Sequence, residues 1–318
     1  ALTIWRGHGL PYDTQRTGYG IFRSLFQDAA TQEGENEILG SPAPSLKPFV
    51  KRMMGYDLDA EENEALSYLE PEQINQLTMV AIRETIRDAS QTRPLLLILD
   101  DFHWADDLSR DLLQTLLPLV EEFPLVLCVM TRPNPNFALD DSEINQSFSG
   151  ILELKPLSEK ESLALLSALV DVEAMAETTI QNILKQAEGN PFYIEEFVRM
   201  LVEKEMLQLH DGQWRLNSTI GVEDLDIPTS LRGLMLARVD RLPEDLRYVL
   251  RDAAIIGPEF DAALLQEVTQ RLRSVENVIP MLDRLSSLGL LSPRPHVGET
   301  TYAFTHILTQ ETIYQSVL

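Results

Sequence analysis

Leu95-Leu96-Leu97-Ile98-Leu99-Asp100-Asp101-Phe102-His103-Trp104-Ala105-Asp106 is the stretch that decides the fold. Five apolar residues run straight into two carboxylates, and Arg93-Pro94 stops whatever precedes them. A continuous apolar run bounded by breakers reads as a strand buried on both faces, as in a parallel sheet. Its carboxyl tip then carries Asp100 and Asp101. Ligands of open α/β sheets bind at that edge. The first acid suits a hard cation such as Mg²⁺, which prefers oxygen ligands. The second suits an attacking water that must be oriented or deprotonated. A pair of solvated acids closing a strand would be written with the same letters.

Working outward, Leu108 to Val120 reads as a helix with Leu112, Leu113, Leu116 and Leu117 on one side. Pro124 breaks it, and Leu125 to Met130 reads as a second buried strand. Cys128 lies inside that run and is expected to be a small core residue. Upstream, Pro71 opens a helix whose apolar face carries Ile74, Leu77, Ala81, Ile82, Thr85 and Ile86. Leu2 to Arg6 suits a strand, Ile21 to Ala30 a helix, and Gly34 to Ser45 a loop. Helices alternating with buried strands give the α/β class.

After Pro156 the pattern turns helical. Ser158-x-x-Glu161 is a capping box, and Ile180, Ile183, Leu184 and Ala187 mark a second helix. Gly189 suits a C-terminal cap; Asn190-Pro191 restarts a helix through Phe197, Val198 and Leu201. Leu207 to Leu209 and Trp214 to Leu216 flank Asp211-Gly212, a hairpin signal. From Ile227-Pro228 onward come further helices, a hairpin of Leu290-Leu291 with Tyr302 to Phe304, and a terminal helix. Helices ending in a hairpin resemble a winged-helix domain. The expected division is an α/β core over 1–155, a helical region over 156–222 and a winged-helix domain over 223–318.

Charge and composition narrow the partners. Lys and Arg number 26 against 50 Asp and Glu, a net −24. So acidic a chain repels phosphate backbones, which argues against bulk nucleic-acid binding. No apolar run reaches the ~18 residues of a membrane span. The N-terminal Ala1 to Trp5 lacks the basic and long apolar regions of a signal peptide, and the absence of an initiator Met suggests processing or excision. One cysteine in the whole chain fits a reducing, cytoplasmic setting.

The string LLLILDDFHWAD resembles the Walker B segment of STAND-type signalling NTPases, the AAA-like modules of class III adenylate cyclases and large LuxR-type regulators. Val126 to Thr131 followed by Arg132-Pro133 is similar to that family's sensor strand. Gln186 to Glu196 (QAEGNPFYIEE) resembles its Gly-x-Pro lid motif. Tyr302 to Tyr314 (YAFTHILTQETIY) resembles the end of its winged-helix domain. The resemblance implies a P-loop NTPase-like parallel-sheet core, a helical lid and a winged-helix domain that bind ATP or ADP with Mg²⁺. Residue by residue, it implies Asp100 on the metal and Asp101 as the catalytic residue that orients or deprotonates the attacking water. Arg132 would sense the γ-phosphate, Pro191 would pack near the adenine, and His306 would approach the phosphates. Each has a purely structural alternative: Arg132 as a solvated strand cap, Pro191 as a helix start, His306 as an ordinary residue at a helix N-terminus. His103 and Trp104 read as packing of the strand-to-helix turn.

The same resemblance implies a nucleotide-driven switch. Its partners would be the nucleotide and other domains of the same protein, either a cyclase or DNA-binding output or helical repeats. Direct nucleic-acid and membrane contacts are not expected. One departure stands out. No Gly-x4-Gly-Lys-Ser/Thr loop and no Gly-Lys dipeptide occur in the sequence. Such a loop cradles phosphates with backbone N–H groups. The expectation is a chain that starts just after this loop, an ATPase when intact and inactive alone. The alternatives are a non-catalytic pseudo-ATPase scaffold that has lost the loop, and a winged-helix DNA-binding regulator.

Overall fold

A computed structural model describes residues 2–10, 18–40, 42–132, 150–210, 213–216, 230–295 and 300–317. The chain forms two compact units, Ala1–Ile151 and Leu152–Leu318.

The first unit is built on a parallel sheet ordered β1-β2-β3, with β1 at Thr3–His8, β2 at Leu95–Asp100 and β3 at Leu125–Val129. The link from β1 to β2 carries helices α1 (Gly20–Glu33), α2 (Glu35–Gly40), α3 (Lys47–Met54), α4 (Ala60–Ser67) and α5 (Pro71–Thr92). The link from β2 to β3 carries α6 (Asp107–Glu122). Pro71 occupies the first turn of α5, and a reciprocal Glu70–Gln73 box caps it.

Residues 34–45 are not the single loop expected. Gly34 ends α1 with φ 95, and α2 starts at the next residue. Glu35 and Glu37 lie in the first turn of α2, where carboxylates offset the positive end of the helix dipole. Acid and glycine that read as a loop therefore cap and separate two helices.

β2 is buried on one face, not two. Leu95, Leu97 and Leu99 are buried with Trp5, whose ring centroid lies 6.0 Å from that of Phe26 on α1. Leu96 and Ile98 remain partly exposed. The same alternation runs through β3. Leu125 is buried, while Val126 is 58% exposed and Cys128 is exposed. Cys128 is thus not a core residue. It pairs in register with Ile98 on the sheet face opposite α1. The apolar run was long enough for a strand, but the described helices pack against one face only, around Phe22, Phe26, Ile82, Leu112 and Leu116.

The second unit holds two apolar cores. One gathers α7 (Glu159–Leu169), α8 (Glu177–Ala187), α9 (Pro191–Glu203), the hairpin β4 (Leu207–His210) with β5 (Gln213–Leu216), and Leu234 of α10 (Leu231–Asp240). The other gathers α11 (Glu244–Ile256), α12 (Ala262–Arg273), α13 (Ile279–Ser287), α14 (Ile307–Val317) and a sheet ordered β6-β8-β7. Its strands are β6 (Glu259–Asp261), β7 (Leu291–Pro295) and β8 (Thr300–Phe304), all antiparallel. Ser158 and Glu161 form the capping box of α7 as read. The Asp211-Gly212 turn, the Ile227-Pro228 step and Pro133 lie outside the described residues.

Candidate functional site: the carboxylate pair at the sheet edge

β2 delivers Asp100 and Asp101 to the carboxyl edge of the sheet, and β1 delivers His8 beside them, in register with Asp100. His8 Nδ1 lies 3.7 Å from Asp100 Oδ2. The other oxygen, Asp100 Oδ1, accepts the Asp101 N–H at 2.9 Å. His8 holds the Asp100 carboxyl below the usual carboxylate range. Burial works against it, and the Asp101 N–H adds to it. Asp100 is therefore an anion with both oxygens addressed, the form a divalent cation requires.

Asp101 takes φ 51, in the left-handed region. Few non-glycine residues adopt it, and aspartate tolerates it better than most. Such backbone clusters at working sites. Here it turns the chain at the strand tip into the 3-10 turn Phe102–Trp104, of which Asp101 is the N-cap. His103 is buried, with Nδ1 3.7 Å from Asp101 Oδ1 and its ring centroid 4.9 Å from that of Trp104, the two rings tilted by 42°. His103 and Trp104 thus pack the turn, as read. Gly9 must be glycine, because a Cβ there would lie 2.4 Å from the Asp101 carbonyl oxygen.

Asp106 follows the turn and is the N-cap of α6. Its carboxylate accepts the N–H groups of Tyr19 (3.0 Å), Gly20 (2.9 Å) and Ser109 (3.0 Å), plus the Ser109 hydroxyl (2.8 Å). One side chain thus caps α6 and ties it to the start of α1. Burial raises its pKa, but the hydrogen bonds from Gly20, Ser109 and Tyr19 outweigh burial and lower it. Sequence reading quoted Asp106 without a role and missed His8 altogether. The only available signal was His8-Gly9 closing the first strand.

Arg132 follows β3 at the same edge and is exposed. Among the described residues no ion pair joins it to Asp100 or Asp101. Pro191 and His306 belong to the second unit. Pro191 stands at the first position of α9, whose cap is Asn190 Oδ1 accepting the Phe192 N–H at 3.0 Å. The turn before it is not the simple glycine cap expected. Glu188 is itself left-handed at φ 48, and Gly189 follows at φ 77. A Cβ on Gly189 would meet the Leu157 carbonyl oxygen at 2.4 Å, so glycine is required by close backbone approach as well. The His306 ring lies 4.2 Å from that of Phe192. Burial lowers the His306 pKa; Glu196 and Glu195 oppose this, while Arg199 and Arg238 reinforce it. The structure therefore brings Asp100 and Asp101 together and, separately, brings His306 to the Pro191–Phe192 turn.

Among the described residues no group of three or more His, Cys, Asp and Glu side chains is arranged to hold a metal. A divalent ion at Asp100 would take its remaining ligands from water and phosphate oxygens, which is how Mg²⁺ is ordinarily bound beside nucleotides.

Residues 6–130 match the AAA ATPase domain family. The match runs from within β1 to just past β3 and includes both acids, and it supports an AAA-type ATPase module in this part of the chain. Residues 158–215 match a second family described as a domain of unknown function (DUF8739). A protein of Rhizobium meliloti (strain 1021), uncharacterized protein R02095, is 25% identical over 276 residues. That alignment takes in 85% of this chain and 25% of the relative, so the chain spans about a quarter of the relative's length. Among solved structures, the Aeropyrum pernix ORC1 protein in complex with DNA aligns over all of this chain and 87% of that one, with 13% identity and a TM-score of 0.33. So distant a likeness does not bear on function. Among the described residues, no helix is long and apolar enough to cross a membrane.

Proposed function

We propose that this chain is the ATP-binding regulatory module of a larger signal-transduction protein of the STAND type, in which nucleotide exchange or hydrolysis switches an output domain. The observation that carries this reading is the Asp100–Asp101 pair at the carboxyl tip of the central parallel strand, inside the AAA ATPase match. Asp100, fixed between His8 and the Asp101 N–H, binds Mg²⁺ through its waters. Asp101 orients the water that attacks the γ-phosphate. Arg132 senses that phosphate, Pro191 packs near the adenine, and His306 approaches the phosphates. The second unit supplies a helical lid and a winged-helix domain, the latter supported by helices α11 to α13 with the β6-β8-β7 sheet. A ligand drives such a switch only through different affinities for the two arrangements. The output domain, a cyclase or a DNA-binding module, and the helical repeats are its partners, and the reducing cytoplasm is its compartment.

The test is ATP affinity and turnover of the full-length protein with either acid neutralised. Asp100→Asn should weaken Mg²⁺-dependent ATP binding by roughly tenfold or more, about 1.4 kcal/mol. Asp101→Asn should leave affinity nearly unchanged and lower turnover by about a hundredfold, because a water-positioning group acts in the transition state. Wild-type turnover in both variants would reject the assignment. The missing Gly-x4-Gly-Lys-Ser/Thr motif favours one second reading, a pseudo-ATPase scaffold. It is the reading left if the full-length wild type neither binds nor hydrolyses ATP.

A further inference from the structure

Arg238 is 5% exposed, and Glu196 is 3% exposed. Buried charges are costly unless every face is satisfied, and here they are. Arg238 Nη1 donates to Glu196 Oε2 at 2.9 Å, Arg238 Nε donates to Glu203 Oε1 at 2.7 Å, and Arg238 Nη2 donates to the carbonyl of Leu288. The second oxygen of Glu196 is held by Arg199 Nη1 at 3.2 Å. Arg199 in turn lies over Gly289, whose added Cβ would stand 3.0 Å from Nη1 and whose φ is 69.

These contacts close a circuit. Glu196, Arg199 and Glu203 all belong to α9, and Arg238 belongs to α10. Leu288 and Gly289 form the turn between α13 and β7. The next residue, Leu290, accepts the Thr305 N–H at 3.1 Å. Thr305 precedes His306, whose ring rests on Phe192, one helical turn before Glu196 on the same side of α9. The path from Phe192 through His306, Thr305, Leu290, Leu288 and Arg238 thus returns to α9 at Glu196. The two apolar cores of the second unit are bridged by polar contacts along this path, and Arg238 is its branch point.

We infer that Arg238 is a positioning residue. It holds the 288–290 turn against α9 and so seats His306 on Phe192. It does so through the guanidinium fork, which serves two carboxylates and one carbonyl in fixed directions as a lysine cannot. The functional meaning of this seat rests on the nucleotide switch proposed above, but the contact itself is read without nucleotide. Failure of that reading and failure of this one are therefore separable.

The test is NMR of the full chain labelled at histidine and phenylalanine, joined to amide hydrogen exchange. Arg238→Met with Glu196→Gln removes the fork and the carboxylate charge it neutralises. Arg238→Lys keeps a cation for Glu196 and loses the simultaneous hold on Glu203 and Leu288. The expected result is loss of the His306–Phe192 cross-relaxation and a roughly tenfold or greater rise in Thr305 amide exchange, with the α8 amides around Ile183 and Leu184 still protected. A merely structural role would loosen α8 as well or leave His306 in place. Should the double variant unfold, Arg238→Lys decides. A folded Arg238→Lys chain that keeps both the ring contact and Thr305 protection overturns the inference.

Discussion

Asp106 is the side chain that ties the start of α6 to the start of α1. It gathers four hydrogen bonds, two of them from residues 86 and 87 positions away. Replacing it by alanine leaves the Tyr19, Gly20 and Ser109 donors without their acceptor. The expected loss is about 2–4 kcal/mol in the first unit, combining a lost cap with unsatisfied donors. Urea unfolding followed by tryptophan fluorescence measures it, and a loss under ~0.5 kcal/mol would show that water replaces the carboxylate at little cost. The pH dependence has a definite sign. The folded pKa of Asp106 is depressed, so its contribution is complete above the unfolded aspartate value of about 3.9 and disappears as pH falls through the folded value. Asp106→Asn should therefore flatten that acidic limb. Asp100 and Asp101 were legible in the sequence because they end an uninterrupted apolar run. His8 and Asp106 were not, because their meaning comes from partners far along the chain.

At the scale of elements, the strands were legible and their environment was not. The run Leu95 to Leu99 specifies a strand, but an apolar residue is written the same way whether a helix covers it or not. The uncovered face carries Leu96, Ile98, Val126 and Cys128 in register. Cys128 is consequently predicted to react with a disulfide reagent in native residues 1–318 at a rate within about tenfold of the denatured chain, since reactivity requires access. Full protection of the thiol until unfolding would contradict the exposed face. Similar reasoning explains the helices that were missed. α2, α3 and α4 are short, and their caps use the Gly, Pro and acidic residues that elsewhere mark loops. β6, at three residues, is too short for any periodic signal and exists because β8 pairs with it.

At the scale of the whole molecule, the chain carries a net charge of −24 and divides into two compact units, one with a parallel sheet and one with two apolar cores. The winged-helix reading of residues 223–318 does not carry a DNA-binding function with it, because function belongs to sites and not to folds. Fluorescence anisotropy with duplex DNA should show no binding by the full chain that weakens with salt in the manner of phosphate neutralisation. Tight, salt-sensitive binding would revive the DNA-regulator alternative. The central claim is the proposal that the edge holding Asp100 and Asp101 belongs to a nucleotide site, and residues 1–318 contain no Gly-x4-Gly-Lys-Ser/Thr loop to cradle its phosphates. Charge-assisted hydrogen bonds contribute about 1.5–3 kcal/mol each, so lacking three or four of them costs several kcal/mol. Each 1.4 kcal/mol is about tenfold in affinity. The most direct measurement is calorimetric titration of Mg²⁺-ATP and ADP into residues 1–318, beside the full-length protein. The account predicts millimolar or weaker binding by residues 1–318 and roughly micromolar binding by the full-length protein. Micromolar binding by residues 1–318 alone would place the phosphate site elsewhere and contradict it.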